Sequence, residues 1–169
     1  MNVIDAILTR RSIRKFTGQV ISGDQLDLLL KCGFQAPSAY NLQPWHFVVV
    51  KEKEILEKIA DIHPYAKMLP QAGCGIIVCG DITREKKEGY LVEDCSAAIE
   101  NILLAAHGTG LGAVWCGIYP DTERARAFSE ILNLPENIIP VGLIAVGYPD
   151  EEKPPQERFD PAKVHYESW

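Results

Sequence analysis

With 169 residues, 47% of them hydrophobic, and no low-complexity stretch, the chain has the length of one domain with a substantial core and no room for a second. Its 17 basic and 23 acidic residues give a net charge of −6 and a pI near 5.2, which argues against a nucleic-acid backbone or an anionic membrane as a general partner. The first residues carry no basic segment leading into a long apolar run, and no stretch nears the roughly 20 apolar residues that span a bilayer, so the chain reads as soluble and cytoplasmic. Asn2 is placed to cap a first helix in which Val3, Ile4, Ile7 and Leu8 form one apolar stripe, fraying near Arg10. Ser22 and Gln25 make a capping-box pair ahead of Leu26, Leu29, Leu30, Gly33 and Phe34, a second helix whose pattern Pro37 ends. Trp45–Val50 and Cys74–Asp81 are β-rich runs, with a charged helix from about Glu52 to Ile62 between them. The stretch Ala97–Ala106 is apolar on nearly every face, as in a helix buried on several sides, and the glycines at 108, 110 and 112 provide its cap and a close-approach turn. A strand at Ala113–Cys116, a helix near Thr122–Leu132 and a last core strand at Val141–Tyr148 complete the series.

Interleaved helices and strands suggest a doubly wound parallel sheet, yet no strand runs into a G-x-G-x-x-G or Walker loop at the start of a helix. Any phosphate must therefore be held by side chains. The five cysteines follow no C-x-x-C spacing and lie mostly in apolar runs, as reduced structural thiols do. His46, His63, His107 and His165 form no H-x-x-x-H pair, so a metal site has little support. Beyond Tyr148, proline and charge abolish core periodicity while Phe159, Val164, Tyr166 and Trp169 remain. These residues fit an extended arm packed on another surface, most economically a partner protomer; the alternative is a loose terminus.

Two stretches carry the chemistry. "RRSIRKF", Arg10 to Phe16, sets four cations beside a serine at the end of a helix, in an acidic chain. Guanidinium groups match phosphate oxygens in a bidentate fork and a hydroxyl adds a donor, although cations also complement a helix C-terminus without any ligand. "APSAYNLQPW", Ala36 to Trp45, is a stiff polar loop bracketed by Pro37 and Pro44. Its Asn41 and Gln43 offer the paired donors and acceptors that suit a pyrimidine-like ring, and an ordinary Asx-type turn is the alternative.

Together with the apolar "AAIENILLAAHGTGLGAVW" and the closing "ERFDPAKVHYESW", these blocks resemble, in order and over nearly the whole chain, a short member of the FMN-dependent nitroreductase family. The resemblance implies an α+β fold with a central, mostly antiparallel sheet flanked by helices. It also implies an intertwined homodimer, with residues 1–147 as the FMN-binding domain and 148–169 as an arm on the partner. Arg10, Arg11 and Ser12 would hold the FMN phosphate with Arg158, and Arg14 would reach the ribityl chain or the pyrimidine edge. Pro37, Ser38, Ala39 and Asn41 would approach the flavin from the other protomer. Trp115, Cys116 and Gly117 would lie beside the ring, with a backbone N–H of Cys116 or Gly117 facing the nitrogen that accepts hydride. Gln156 stands where many relatives have lysine, leaving the cage one charge poorer unless Lys153 bends in. Lys67 matches a cation near the ring edge in some relatives, and His63–Leu69 is the only obvious lid. No side chain is expected as nucleophile or acid–base catalyst, because the implied reaction passes hydride from NAD(P)H through FMN to a nitroaromatic or quinone acceptor in ping-pong fashion. Other readings stay open: a different flavin reaction such as reductive dehalogenation or dehydrogenation, a flavin-binding redox sensor using Cys74 and Cys79, or a structural dimer without cofactor.

Overall fold

Side-chain caps set where three of the five helices begin. Asn2 Oδ1 accepts the Asp5 N–H at 3.0 Å at the head of α1 (Val3–Thr9). At α2 (Gly23–Phe34) the capping box is complete, with Ser22 Oγ accepting the Gln25 N–H at 3.1 Å and Gln25 Oε1 accepting the Ser22 N–H at 2.9 Å. Asp121 Oδ1 accepts the Arg124 N–H at 3.0 Å, so α5 occupies Thr122–Leu132. The remaining helices are α3 (Lys53–Ile62) and α4 (Glu88–Gly108). The structure, a computed structural model, describes all residues from Met1 to Trp169.

The strands β1 (Trp45–Val50), β2 (Cys74–Asp81), β3 (Gly112–Gly117) and β4 (Ile138–Gly147) form one sheet in the order β1-β2-β4-β3. Every neighbouring pair is antiparallel, so the parallel arrangement that interleaving alone would suggest is not formed. The last strand begins earlier than its apolar run. Between β2 and β4 the register shifts, with Val78 opposite Gly142 and Cys79 opposite Pro140, and the bulge accommodates a proline that has no N–H to give the ladder.

Period-two alternation sorts the central strands onto two cores. Ile76, Val78, Ile144 and Val146 pack with Leu29 of α2 and Ile99 and Ile102 of α4. On the opposite face Ile77, Cys79, Leu143 and Ala145 pack with Ile59 of α3 and Phe128 of α5. α4, buried along much of its length, is the pillar expected from its composition. The stripe on α1 runs contrary to a simple core assignment: Val3, Ile4, Ile7 and Leu8 are 66%, 59%, 54% and 66% exposed, and Ala6 is the buried residue of the helix. Its apolar face points away from the chain's own core. Beyond Asp150 the only regular element is a 3-10 turn at Pro161–Lys163, and Phe159, Tyr166 and Trp169 are 74%, 80% and 100% exposed. No helix is long and apolar enough to cross a membrane.

Candidate active site

The cationic segment is held against the sheet edge by its own backbone. After Arg10 leaves helical geometry at the end of α1, Ser12 forms a parallel bridge to Ala113 of β3, and the Ile13 N–H donates to the Ala113 carbonyl at 3.0 Å. Phe16 bridges Pro149, and the Asp150 N–H donates to the Lys15 carbonyl at 2.9 Å. Residues 10–16 therefore run between β3 and the chain leaving β4. Gly112 permits this close approach, since a Cβ there would stand 2.8 Å from Ile13 Cγ2.

On one side of the segment, Arg10, Arg11 and Arg158 line a single cleft of about 430 Å³ together with Gln156. Three arginines from opposite ends of the chain thus line one concavity. Arg10 Nε pairs with Glu100 of α4 at 3.3 Å, and Arg11 Nη1 donates to the Pro154 carbonyl. The start of the tail is fastened here as well. Lys153 Nζ donates to the Ser12 carbonyl at 2.8 Å and pairs with Glu151 at 3.1 Å, while Glu151 Oε1 accepts the Arg14 N–H at 2.5 Å. That backbone bond, reinforced by Lys153, holds the Glu151 carboxyl below its ordinary pKa. Lys153 does lie against the cationic segment, at the Ser12 backbone, where Gln156 supplies no charge.

On the other side, a cleft of about 390 Å³ is lined by Arg14, Tyr65, Lys67, Met68, Trp115, Cys116 and Gly117, with Pro64. The four residues expected beside a ring, Arg14 and Trp115–Gly117, are therefore together. Trp115 is on the exposed edge of β3, and a Cβ on Gly117 would meet no atom within 4 Å, so this strand end borders open space. The Lys67 ammonium donates to the Ala60 carbonyl at 2.7 Å. Both clefts have volumes typical of small-molecule sites, which run from about 300 to 1,000 Å³. A phosphate fits the donors of the first; a planar aromatic ring fits beside the open strand end of the second, with Arg14 near it.

Pro37, Ser38, Ala39 and Asn41 line neither cleft of their own chain. Their loop is built locally. Ala39 donates its N–H to Asp94 Oδ1 of α4 at 2.9 Å, Ser38 Oγ accepts the Gln43 N–H at 3.0 Å, and Gln43 Nε2 donates to Asn41 Oδ1 at 3.0 Å. The two amides expected to read a ring thus engage each other, leaving the Asn41 amide nitrogen and the Gln43 oxygen outward. Tyr40, Asn41 and Gln43 all take positive φ, at 52°, 56° and 51°, a costly choice for side-chain-bearing residues that the Asp94 bond helps to enforce. Asp94 is buried with Oδ2 unpartnered, and this burial raises its pKa despite the Ala39 bond.

Composition and spacing did not single out Glu100, Glu151 or His63. The first two are ordinary acids until the fold sets them against arginines, and the imidazole of His63 acts through the backbone. No cluster of three or more potential metal ligands is present. All five cysteines are free thiols, and burial pushes Cys74, Cys79 and Cys95 up to about 12 and Cys116 to about 11.

The molecule is thus a small antiparallel α+β domain with arginines from both ends of the chain at one cleft and the end of β3 at another. The chain belongs to the nitroreductase family: the family's sequence profile matches residues 7–63 and 63–148. A protein of Methanothermobacter thermautotrophicus, provisionally named as an NADH dehydrogenase/NAD(P)H nitroreductase, is 46% identical over 169 residues, covering 100% of this chain and 88% of its own. Two solved structures are also similar. A Parabacteroides distasonis protein with the same provisional name shares 35% identity at a TM-score of 0.96, covering 100% of both chains. An FMN-dependent nitroreductase from Clostridium difficile shares 31% at 0.90, covering 98% of this chain and 99% of its own.

Proposed function

We propose that this nitroreductase-family oxidoreductase binds FMN and transfers reducing equivalents from NAD(P)H to a small acceptor of nitroaromatic or quinone type. The observation that carries the reading is the convergence of Arg10, Arg11 and Arg158 on one cleft, next to the cleft that holds Arg14 and Trp115–Gly117. The FMN-dependent relative from C. difficile and the NAD(P)H named for the M. thermautotrophicus protein support it. FMN, when bound, supplies the redox chemistry, alternately taking and giving hydride.

The chain's residues then bind and orient. The three guanidinium groups are assigned to neutralise and grip the phosphate, and the Ser12 hydroxyl, which lines neither cleft, to join them on binding. Lys153 is held at the Ser12 carbonyl by its ion pair with Glu151, so the grip stays one charge poorer at Gln156. Arg14 is assigned to the ribityl chain or the pyrimidine edge, where a cation favours the anionic reduced form. Trp115, Cys116 and Gly117 border the ring, and the outward N–H of Cys116 or Gly117 is assigned to its reactive edge. No side chain serves as nucleophile or acid–base group, because positioning suffices for hydride transfer in ping-pong turnover.

The active unit in this reading is a homodimer. The outward stripe of α1 and the exposed aromatic residues of the tail give each copy an apolar surface for the other, so residues 1–147 form the FMN-binding domain and 148–169 an arm across the partner. Pro37, Ser38, Ala39 and Asn41, which line neither cleft of their own chain, would complete the partner's site. Purified protein is expected to be yellow, with one FMN per chain, and to oxidise NADH or NADPH when a nitroaromatic or a quinone is supplied. A colourless preparation that ignores added FMN contradicts the reading; retained FMN without such turnover points to a different flavin reaction.

A further inference from the structure

His63 ends α3 and its side chain is fully buried. Nδ1 accepts the Tyr65 N–H at 3.2 Å, and Nε2 lies 2.9 Å from the Gly117 carbonyl. A backbone N–H can only donate and a carbonyl can only accept, so Nδ1 must be bare and Nε2 must carry the proton. One further bond crosses the same junction, the Cys116 thiol donating to the Tyr65 carbonyl at 3.3 Å, while Arg124 Nη1 of α5 donates to the same Gly117 carbonyl at 3.0 Å. Tyr65, Lys67 and Met68 on one side of this junction, and Cys116 and Gly117 on the other, line the ring-side cleft. The imidazole also meets the Phe128 ring of α5 edge-on, with centroids 6.1 Å apart.

We propose that His63 is a positioning residue: neutral and protonated at Nε2, it fixes the Pro64–Met68 wall of the cleft against the Cys116–Gly117 end of β3. The inference rests on the reading of that cleft as the flavin and acceptor site. A second proton, on Nδ1, sets a donor against the Tyr65 N–H and releases the wall. The charged groups acting on the ring are Arg124 of α5, which opposes protonation, and Asp121 at the N-cap of α5, which favours it; the Cys116 thiol is neutral and Lys67 reaches away to the Ala60 carbonyl. Burial, the largest influence, together with Arg124 outweighs the Gly117 carbonyl bond and Asp121, which favour the charged ring, and holds His63 below the ordinary value of 6.5. The junction therefore stays closed at neutral pH and opens on acidification.

The test uses the full-length, FMN-loaded protein. Nitrogen-15 imidazole spectra between about pH 5 and 8, with His63 identified by its loss in His63→Gln, should show the Nε2–H tautomer and a midpoint below the ordinary 6.5. Amide exchange at Tyr65 should accelerate in His63→Phe, which keeps the ring volume and loses both bonds. The same variant should raise the acceptor KM by about tenfold, the scale of one lost buried hydrogen bond, with a smaller change in kcat. His63→Gln, which retains a donor for the Gly117 carbonyl, should recover part of that rise. An Nδ1–H tautomer, a midpoint at or above the ordinary 6.5, or an unchanged KM in a folded His63→Phe overturns the proposal. If the protein proves to hold no flavin, the redox reading fails, while the tautomer and the Tyr65 exchange still decide the junction on the same sample.

Discussion

Gly112 is the residue on which the cationic segment depends most directly. Because Ile13 lies where a side chain would begin, Gly112→Ala must push the segment off β3 or strain both. Overpacking of this kind costs about 1–3 kcal/mol, to be read as a lower urea midpoint, with FMN retention reduced as well. The thiols make a separate prediction. With four of the five cysteines buried and their ionisation suppressed, native protein near pH 8 should take one alkyl label, at Cys32, and five when unfolded. A defined disulfide after mild peroxide would restore the redox-sensor reading. Glu151 sets a pH limit. Its pKa is depressed in the folded chain, so the stability it contributes is complete above the ordinary value of 4.5 and is lost as the pH falls through the depressed one. Glu151→Gln should flatten acid unfolding in that window. At this scale the sequence marked the arginines and Trp115–Gly117 that the fold gathers at two clefts, because charge clusters and motif order survive in one dimension. Glu100, Glu151 and the tautomer of His63 were not, because their roles come from contacts between residues far apart in the chain.

Elements were legible wherever a boundary has local chemistry. The Ser22–Gln25 box and the Asp121 cap place α2 and α5 where the sequence puts them. Ser22→Ala should cost about 1 kcal/mol, measured by denaturant unfolding, and a cost near zero would mean that tertiary packing alone positions α2. The start of β4 escaped because Pro140 reads as a strand breaker until the bulge opposite Cys79 is seen. The stripe on α1 was read correctly as amphipathic, but periodicity states that one face is apolar, not what covers it. Alternation of helices and strands likewise does not fix strand direction; the antiparallel sheet was legible only through the resemblance to a family.

For the whole molecule, the outward α1 stripe and the exposed tail aromatic residues are the features that one copy leaves unexplained. Sedimentation should find two chains per particle. Val3→Lys with Ile4→Lys, which alters no core residue and no cleft residue, should yield folded monomers that lose FMN; dimers that keep it would place the interface elsewhere. The central claim is that guanidinium groups from both ends of the chain hold a cofactor phosphate, and comparing FMN with riboflavin isolates that phosphate. Calorimetry should show FMN binding about a hundredfold more tightly, as expected for charge-assisted hydrogen bonds. Arg10→Ala with Arg158→Ala should remove most of the difference while leaving riboflavin affinity unchanged. Equal affinity for the two flavins in the unaltered protein, or a preference for FMN undiminished by the double substitution, would contradict a phosphate held by guanidinium groups from both ends of the chain.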